Sequence, residues 1–224
     1  MEINSPTIIF MRHGERGDEV FPQIASELTF DPILTEKGKK QVREAAKYIK
    51  ESLLKNQTSN IEIYSSPLIR CVESSSILMD EFHFNNKSIL ITNYVMEYLS
   101  TEYFPIDPIK NCLIRIKPKN EIVHNFTKNI DFIDDKNHEI LKYPENINEC
   151  CSRFYQCYDY FTNRAITTQK ICIFACHGSA FDFIPPYFEQ TPAHFIKPCY
   201  AAITMIQFDG ESWKVKLSGY QAWK

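Results

Sequence analysis

Thr7-Ile8-Ile9-Phe10-Met11-Arg12-His13-Gly14-Glu15 is the stretch on which the reading of this chain turns. A short run of apolar and β-branched residues ends abruptly in a cation, an imidazole and a glycine. The pattern predicts a strand buried on both faces that runs into a loop at the edge of a sheet. The same order recurs downstream, where the apolar run Lys170 to Cys176 leads into His177-Gly178-Ser179. Both histidines therefore fall at the carboxyl edge of a strand, where open α/β sheets place their ligands. Glycine is scarce, with six in the chain, yet one follows each of these histidines. That placement predicts a close backbone approach to a ligand, with no Cβ in the way.

Working outward, Thr35 to Leu54 reads as a helix with Val42, Ala45, Ala46, Ile49 and Leu53 on one face and Thr35 as its N-cap. Ile61 to Tyr64 reads as a strand. Pro67 suits the first turn of a helix carrying Leu68, Cys71, Val72 and Leu78. Lys87 to Thr92 is a further strand candidate. From Ile147 the spacing of Cys151, Phe154, Tyr158 and Phe161 is helical, and another helix is expected from Ala180. Ala201 to Phe208 and Trp213 to Leu217, joined through Asp209-Gly210, form a terminal hairpin. Strands alternating with helices predict an α/β fold: a three-layer sandwich whose mostly parallel, mixed central sheet is flanked by helices. A length of 224 residues fits a single domain over residues 1–224. The proline-containing stretch from Ser100 to Pro144 shows no sustained period and reads as an insertion at about 100–145, expected to cover the site.

Composition excludes several function classes. Lys plus Arg is 25 against 28 for Asp plus Glu, a net charge of −3, which does not suit a general nucleic-acid binder. No run is long and apolar enough for a membrane span, and Met1-Glu2 opens too acidic for a signal peptide. The sequons at Asn56, Asn86 and Asn125 are then chance matches. Of the eight cysteines, Cys172 and Cys176 sit in or beside an apolar run and Cys150, Cys151 and Cys157 in a helical pattern. No C-x2-C spacing occurs. They are read as reduced thiols of a cytoplasmic protein, with no zinc site.

An anionic substrate would have to be captured by a few concentrated cations. Arg12 and Arg16 flank His13, and Arg70 lies in the first turn of its expected helix, close to the sheet edge. A guanidinium is a planar fork of donors matched to phosphate oxygens, so several around one imidazole make a pocket for a tetrahedral phosphoryl group. Their charge also favours neutral imidazole, the nucleophilic form.

Four motifs in order resemble the histidine phosphatase superfamily (phosphoglycerate mutase-like, branch 1). They are Arg12-His13-Gly14-Glu15; Asp31-Pro32-Ile33-Leu34-Thr35 with Gly38; Tyr64-Ser65-Ser66-Pro67-Leu68-Ile69-Arg70-Cys71; and Cys176-His177-Gly178-Ser179. Arg16, Asp18 and Val20-Phe21 extend the likeness toward the subgroup of the suppressor-of-T-cell-receptor-signalling and ecdysteroid-phosphate phosphatases. The resemblance implies a phosphoglycerate mutase-like fold and a metal-independent phosphomonoester hydrolase that needs no cofactor. It implies that His13 attacks phosphorus and becomes a phosphohistidine. Arg12, Arg70 and His177 would hold the phosphoryl oxygens, and Arg16 would complete the pocket. Glu97, in Val95-Met96-Glu97-Tyr98-Leu99, would be the proton donor to the leaving oxygen. The expected partner is a phosphorylated small molecule or phosphoprotein, phosphotyrosine or another aryl phosphate first; no nucleic acid or membrane is expected, and a homodimer stays open. Two alternatives remain at this point. One is a catalytically weak binding or scaffold module, suggested by the insertion and by Tyr94, Tyr98, Tyr103 and Phe104, which look exposed. The other is a phosphomutase.

Overall fold

The computed structural model describes residues 5–20, 31–55, 57–109, 128–133, 141–192 and 198–223. Seven strands form one sheet in the order β4-β3-β2-β5-β1-β6-β7. They are β1 (Thr7–Arg12), β2 (Ile61–Ser65), β3 (Ser88–Ile91), β4 (Asn129–Phe132), β5 (Ile171–Cys176), β6 (Ile203–Phe208) and β7 (Trp213–Tyr220). The first five run parallel, and β6 and β7 add an antiparallel edge. β5, late in the chain, slots between β1 and β2 and pairs Arg12 with Cys176, so the two histidine loops leave the same edge side by side.

Alternation along the buried strands feeds two cores. Ile9 and Met11 face a core shared with Val42, Ala45 and Ala46 of α2 (Glu36–Tyr48) and with Cys71, Val72 and Leu78 of α3 (Ile69–Glu81). Ile8 and Phe10 face the other side, where Phe154, Tyr158 and Phe161 of the long helix Ile147–Thr168 pack. On that face Tyr64, Phe174 and Phe10 stand in register on three adjacent strands, with ring centroids 4.9 and 5.0 Å apart. The result is a sheet between two helical layers, the α/β sandwich expected.

Several boundaries differ from expectation. Thr35 does cap α2, its hydroxyl accepting from Gly38 N at 2.9 Å, but the helix passes into a wider π-type turn over Ile49–Leu53. Pro67 lies before α3 rather than in its first turn. The first free amide of that helix, Ile69 N, is instead taken by the carboxylate of Asp31 at 2.7 Å, a cap supplied from far along the chain. The segment after His177 breaks into two short helices, Ser179–Asp182 and Ile184–Glu189, with Phe183 between them. A four-residue helix, Gly17–Val20, follows the first histidine loop. In chain order the helices are α1 (Gly17–Val20), α2, α3, α4 (Ile147–Thr168), α5 (Ser179–Asp182) and α6 (Ile184–Glu189).

The stretch 100–144 is described at its ends and at β4, which joins the sheet beside β3. Of the aromatics expected to be exposed, Tyr103 is 61% exposed, whereas Phe104 is 2% exposed and packs with Leu68, Met96 and Leu99. Cys112, Asn56 and Asn125 lie outside the described residues. The other seven cysteines are free thiols. Among the described residues no helix is long and apolar enough to cross a membrane.

Candidate active site

The carboxyl ends of β1, β5 and β2 bring together the residues singled out above. Arg12, Arg16, Arg70 and Glu97 line one cavity of about 510 Å³, with His13 and His177 buried behind them. The two imidazole centroids are 5.3 Å apart.

His13 Nδ1 lies 2.8 Å from the carbonyl oxygen of its neighbour Gly14. A carbonyl only accepts, so Nδ1 carries the proton and donates, and Nε2 keeps its lone pair. The His13 pKa is held well below 6.5, by burial first and then by the charges of Arg70 and Arg12, with the Gly14 bond acting in the opposite sense. Neutral, correctly tautomerised imidazole is what a nucleophile requires.

The cations are fixed in three ways. Arg12 reaches the carbonyl of Pro198 through Nη1, and its guanidinium carbon sits 4.4 Å over the Tyr200 ring. Its Nε is buried and has no hydrogen-bond partner among the described residues. Arg16 forms a two-pronged pair with Asp18, Nε to Oδ1 being 2.7 Å. Arg70 is buried, with Nη1 3.8 Å from Asp31 Oδ1 and Nη2 3.2 Å from His177 Nδ1. A guanidinium has only donors, so His177 Nδ1 accepts there and Nε2 carries the proton, donating to Ser66 Oγ at 2.7 Å. Burial, then Arg70, keep the His177 pKa well below 6.5.

Glu97 sits beyond a short 3₁₀ turn, Asn93–Val95, that follows β3. Its Oε1 accepts from Ser179 Oγ at 2.6 Å and from Tyr98 N at 3.0 Å, and its Oε2 lies 3.6 Å from His177 Nδ1. The Glu97 carboxylate is thus tied to the second histidine loop.

The sequence points to the candidate residues that this cavity brings together, but not to the groups that hold them. Asp31 appeared only as part of a motif, and Ser66, Ser179, Tyr200 and Asp182 were not singled out. Asp182 lines the same cavity, and its pKa is raised to about 7 by burial first and by Glu97 second. Glu145 and Arg153, also missed, form a buried pair beneath the Glu97 segment, Nη2 to Oε2 being 2.8 Å. A carboxylate and an arginine eight residues apart, either side of a helix start, carry no mark of that role in the sequence. Among the described residues no group of three or more His, Cys, Asp or Glu side chains could hold a metal ion.

Comparison with known proteins gives a family match over part of the chain and several similar folds. Residues 8–94 match the family model described as the histidine phosphatase superfamily (branch 1). None of the curated proteins compared with the chain matches it. Among solved structures the chain is similar to the ecdysone phosphate phosphatase of Bombyx mori in complex with tungstate. There the TM-score is 0.67 and identity 17%, over 95% of this chain and 92% of that one. It is also similar to phosphoglycerate mutase from Bacillus anthracis, with TM-score 0.63 and 13% identity over 99% of this chain and 96% of that one. A phosphoserine phosphatase from Entamoeba histolytica gives TM-score 0.56 and 16% identity, covering 94% of each chain. These likenesses establish the fold, and with the family match they support a function of phosphatase or phosphomutase type.

Proposed function

We propose that this chain, which carries a domain of the histidine phosphatase superfamily (branch 1), hydrolyses phosphomonoesters through a phosphohistidine on His13. The observation that carries the reading is the His13 tautomer: Nδ1–H held by Gly14 O at 2.8 Å, with the Nε2 lone pair free amid three guanidinium groups.

In the first step the His13 Nε2 lone pair forms a bond to phosphorus as the bond to the leaving oxygen breaks. Glu97, in its acid form, gives its proton to that oxygen. The ring becomes positively charged, and the Gly14 carbonyl on Nδ1 offsets that charge. Arg12 Nε, buried and without an acceptor among the described residues, is suited to a phosphoryl oxygen, and Arg70 and Arg16 present further donors. His177 holds an oxygen in its other tautomer: with the proton on Nδ1 it releases Arg70 and donates to the phosphoryl oxygen, while Nε2 accepts from the Ser66 hydroxyl. In the second step the Glu97 carboxylate takes a proton from water, the oxygen attacks phosphorus and the P–N bond breaks. Inorganic phosphate leaves, and His13 is neutral again. Each step is completed by this chain's own residues, without a metal.

Beyond the arginines, Tyr98, Tyr103 and Phe104 line the cavity, the first two rings 6.1 Å apart in an edge-on pair. Such walls suit a flat apolar leaving group, and they support the reading of phosphotyrosine or another aryl phosphate as the preferred substrate over sugar phosphates.

The test is hydrolysis of p-nitrophenyl phosphate with a chelator present, by wild type and by His13→Ala. Release of inorganic phosphate by wild type alone, with acid-labile phosphate trapped on His13, is the expected result. Equal rates for the two proteins, or phosphate trapped on another residue, would overturn the reading.

A further inference from the structure

Among the described residues the segment that carries Glu97 has no strand partner. After the 3₁₀ turn Asn93–Val95 the backbone from Met96 to Ser100 is irregular, yet Met96 and Leu99 are buried. Buried carbonyls and amides must find partners, so where these go is a question with an answer. One side chain collects three of the carbonyls. Arg153, from the second turn of α4, donates through Nη1 to the carbonyls of Tyr94 at 2.9 Å and Met96 at 2.8 Å. Through Nη2 it reaches the carbonyl of Glu97 itself at 3.3 Å. Its remaining edge is held by Glu145, with Nε to Oε1 and Nη2 to Oε2 both 2.8 Å. Glu145 in turn accepts from Leu99 N at 3.2 Å and donates its own amide to Leu99 O at 3.0 Å.

Both side chains of the pair are 2% exposed. Taking two charges out of water costs several kcal/mol of the order that their attraction returns, so such a pair is weak evidence of stability for its own sake. An apolar pair of similar volume would fill the space but could not receive three carbonyls. What the charged pair does that an apolar one cannot is fix the path of the backbone at residue 97.

We infer that Arg153, with Glu145, is a positioning residue that sets the Glu97 carboxylate at proton-transfer distance from the leaving oxygen. The inference rests on Glu97 being the proton donor. A general acid acts only within hydrogen-bond reach, and a shift of about 1 Å can cost on the order of a hundredfold in rate. Arg153 touches neither substrate nor reacting atom. Its effect passes through the backbone of Glu97.

The leaving group separates this role from a merely structural one. p-Nitrophenol departs readily without protonation, whereas phenol is a much poorer leaving group and needs the acid. Rates on p-nitrophenyl phosphate and phenyl phosphate would be measured for wild type, Glu97→Gln, Arg153→Lys, Arg153→Met and Glu145→Gln. Each preference is a ratio taken on one preparation, so loss of folded protein cancels. Should Arg153→Met fail to fold, Arg153→Lys and Glu145→Gln carry the test. The expected result is that the Arg153 and Glu145 variants lose about tenfold more rate on phenyl phosphate than on p-nitrophenyl phosphate, in the same direction as Glu97→Gln. Equal losses on both substrates would overturn the inference and leave the phosphatase reading standing. Wild type inactive on both would overturn that reading and the inference with it. A Glu97→Gln variant with no leaving-group preference would remove Glu97 as the acid, and Arg153 with it.

Discussion

Gly14 and Gly38 lie against each other so closely that a Cβ on Gly14 would stand 2.3 Å from the carbonyl oxygen of Gly38. A Cβ on Gly38 would meet the carbonyl oxygen of Glu15 at the same 2.3 Å. The first histidine loop is thereby pressed onto the first turn of α2. Gly178, which follows the second histidine, has no such neighbour: its nearest contact would be Pro198 Cδ at 3.4 Å, an ordinary distance. Gly14→Ala should therefore destabilise the protein by about 3 kcal/mol or more, while Gly178→Ala should cost under about 1 kcal/mol. Urea unfolding of both variants checks the contrast, and equal losses would contradict it.

His13 and His177 are both held neutral well below pH 6.5, chiefly by burial. Between 6.5 and their folded values the unfolded chain binds protons that the folded one refuses, so stability falls as pH falls. The slope is about 1.4 kcal/mol per pH unit for each histidine. Asp182, raised to about 7, works in the opposite sense over the same window, because the folded state there binds the extra proton. Comparing wild type with His13→Asn removes that contribution. Between pH 6.5 and 5.5 the variant should lose stability less steeply than wild type. Parallel curves would mean that His13 is not held neutral.

For Asp182 the carboxylate is ionised in the unfolded chain from about its ordinary 3.8 upward but is resisted in the folded one up to about 7. The penalty grows between these values and is constant above. Asp182→Asn should be nearly neutral at pH 4 and stabilising by about 1 kcal/mol at pH 8, a modest figure because the group is partly exposed to solvent. Thermal melts at the two pH values would show it.

Asp31 serves two residues, accepting from Ile69 N at 2.7 Å and facing Arg70 Nη1 at 3.8 Å. Asp31→Asn keeps an acceptor for the amide and removes the charge opposite a buried guanidinium. A loss of about 1–3 kcal/mol is expected, with Asp31→Leu losing more because the amide is orphaned as well. Unfolding midpoints falling in the reverse order would refute the shared role.

The layered fold was legible because its strands are short apolar runs and its helices keep a 3.6-residue period. The candidate site was legible for a related reason: His13 and His177 follow such runs with chemistry that a core does not need. What could not be read is what the chain brings together only in three dimensions. Asp31 capping Ile69, Ser179 on Glu97, and Arg153 under Tyr94, Met96 and Glu97 are all contacts between segments remote in sequence. The reason assigned to the glycines was also incomplete. Gly14 answers to Gly38 rather than to a ligand alone, a relation that local pattern does not encode.

β5 lies between β1 and β2, so in the folded sheet those earlier strands are joined only through it. During synthesis both leave the ribosome long before residue 176, so the slot that β5 fills is still vacant. His13 meets the imidazole of His177 only once that central strand is in place, so a chain stopped before it cannot assemble the pair.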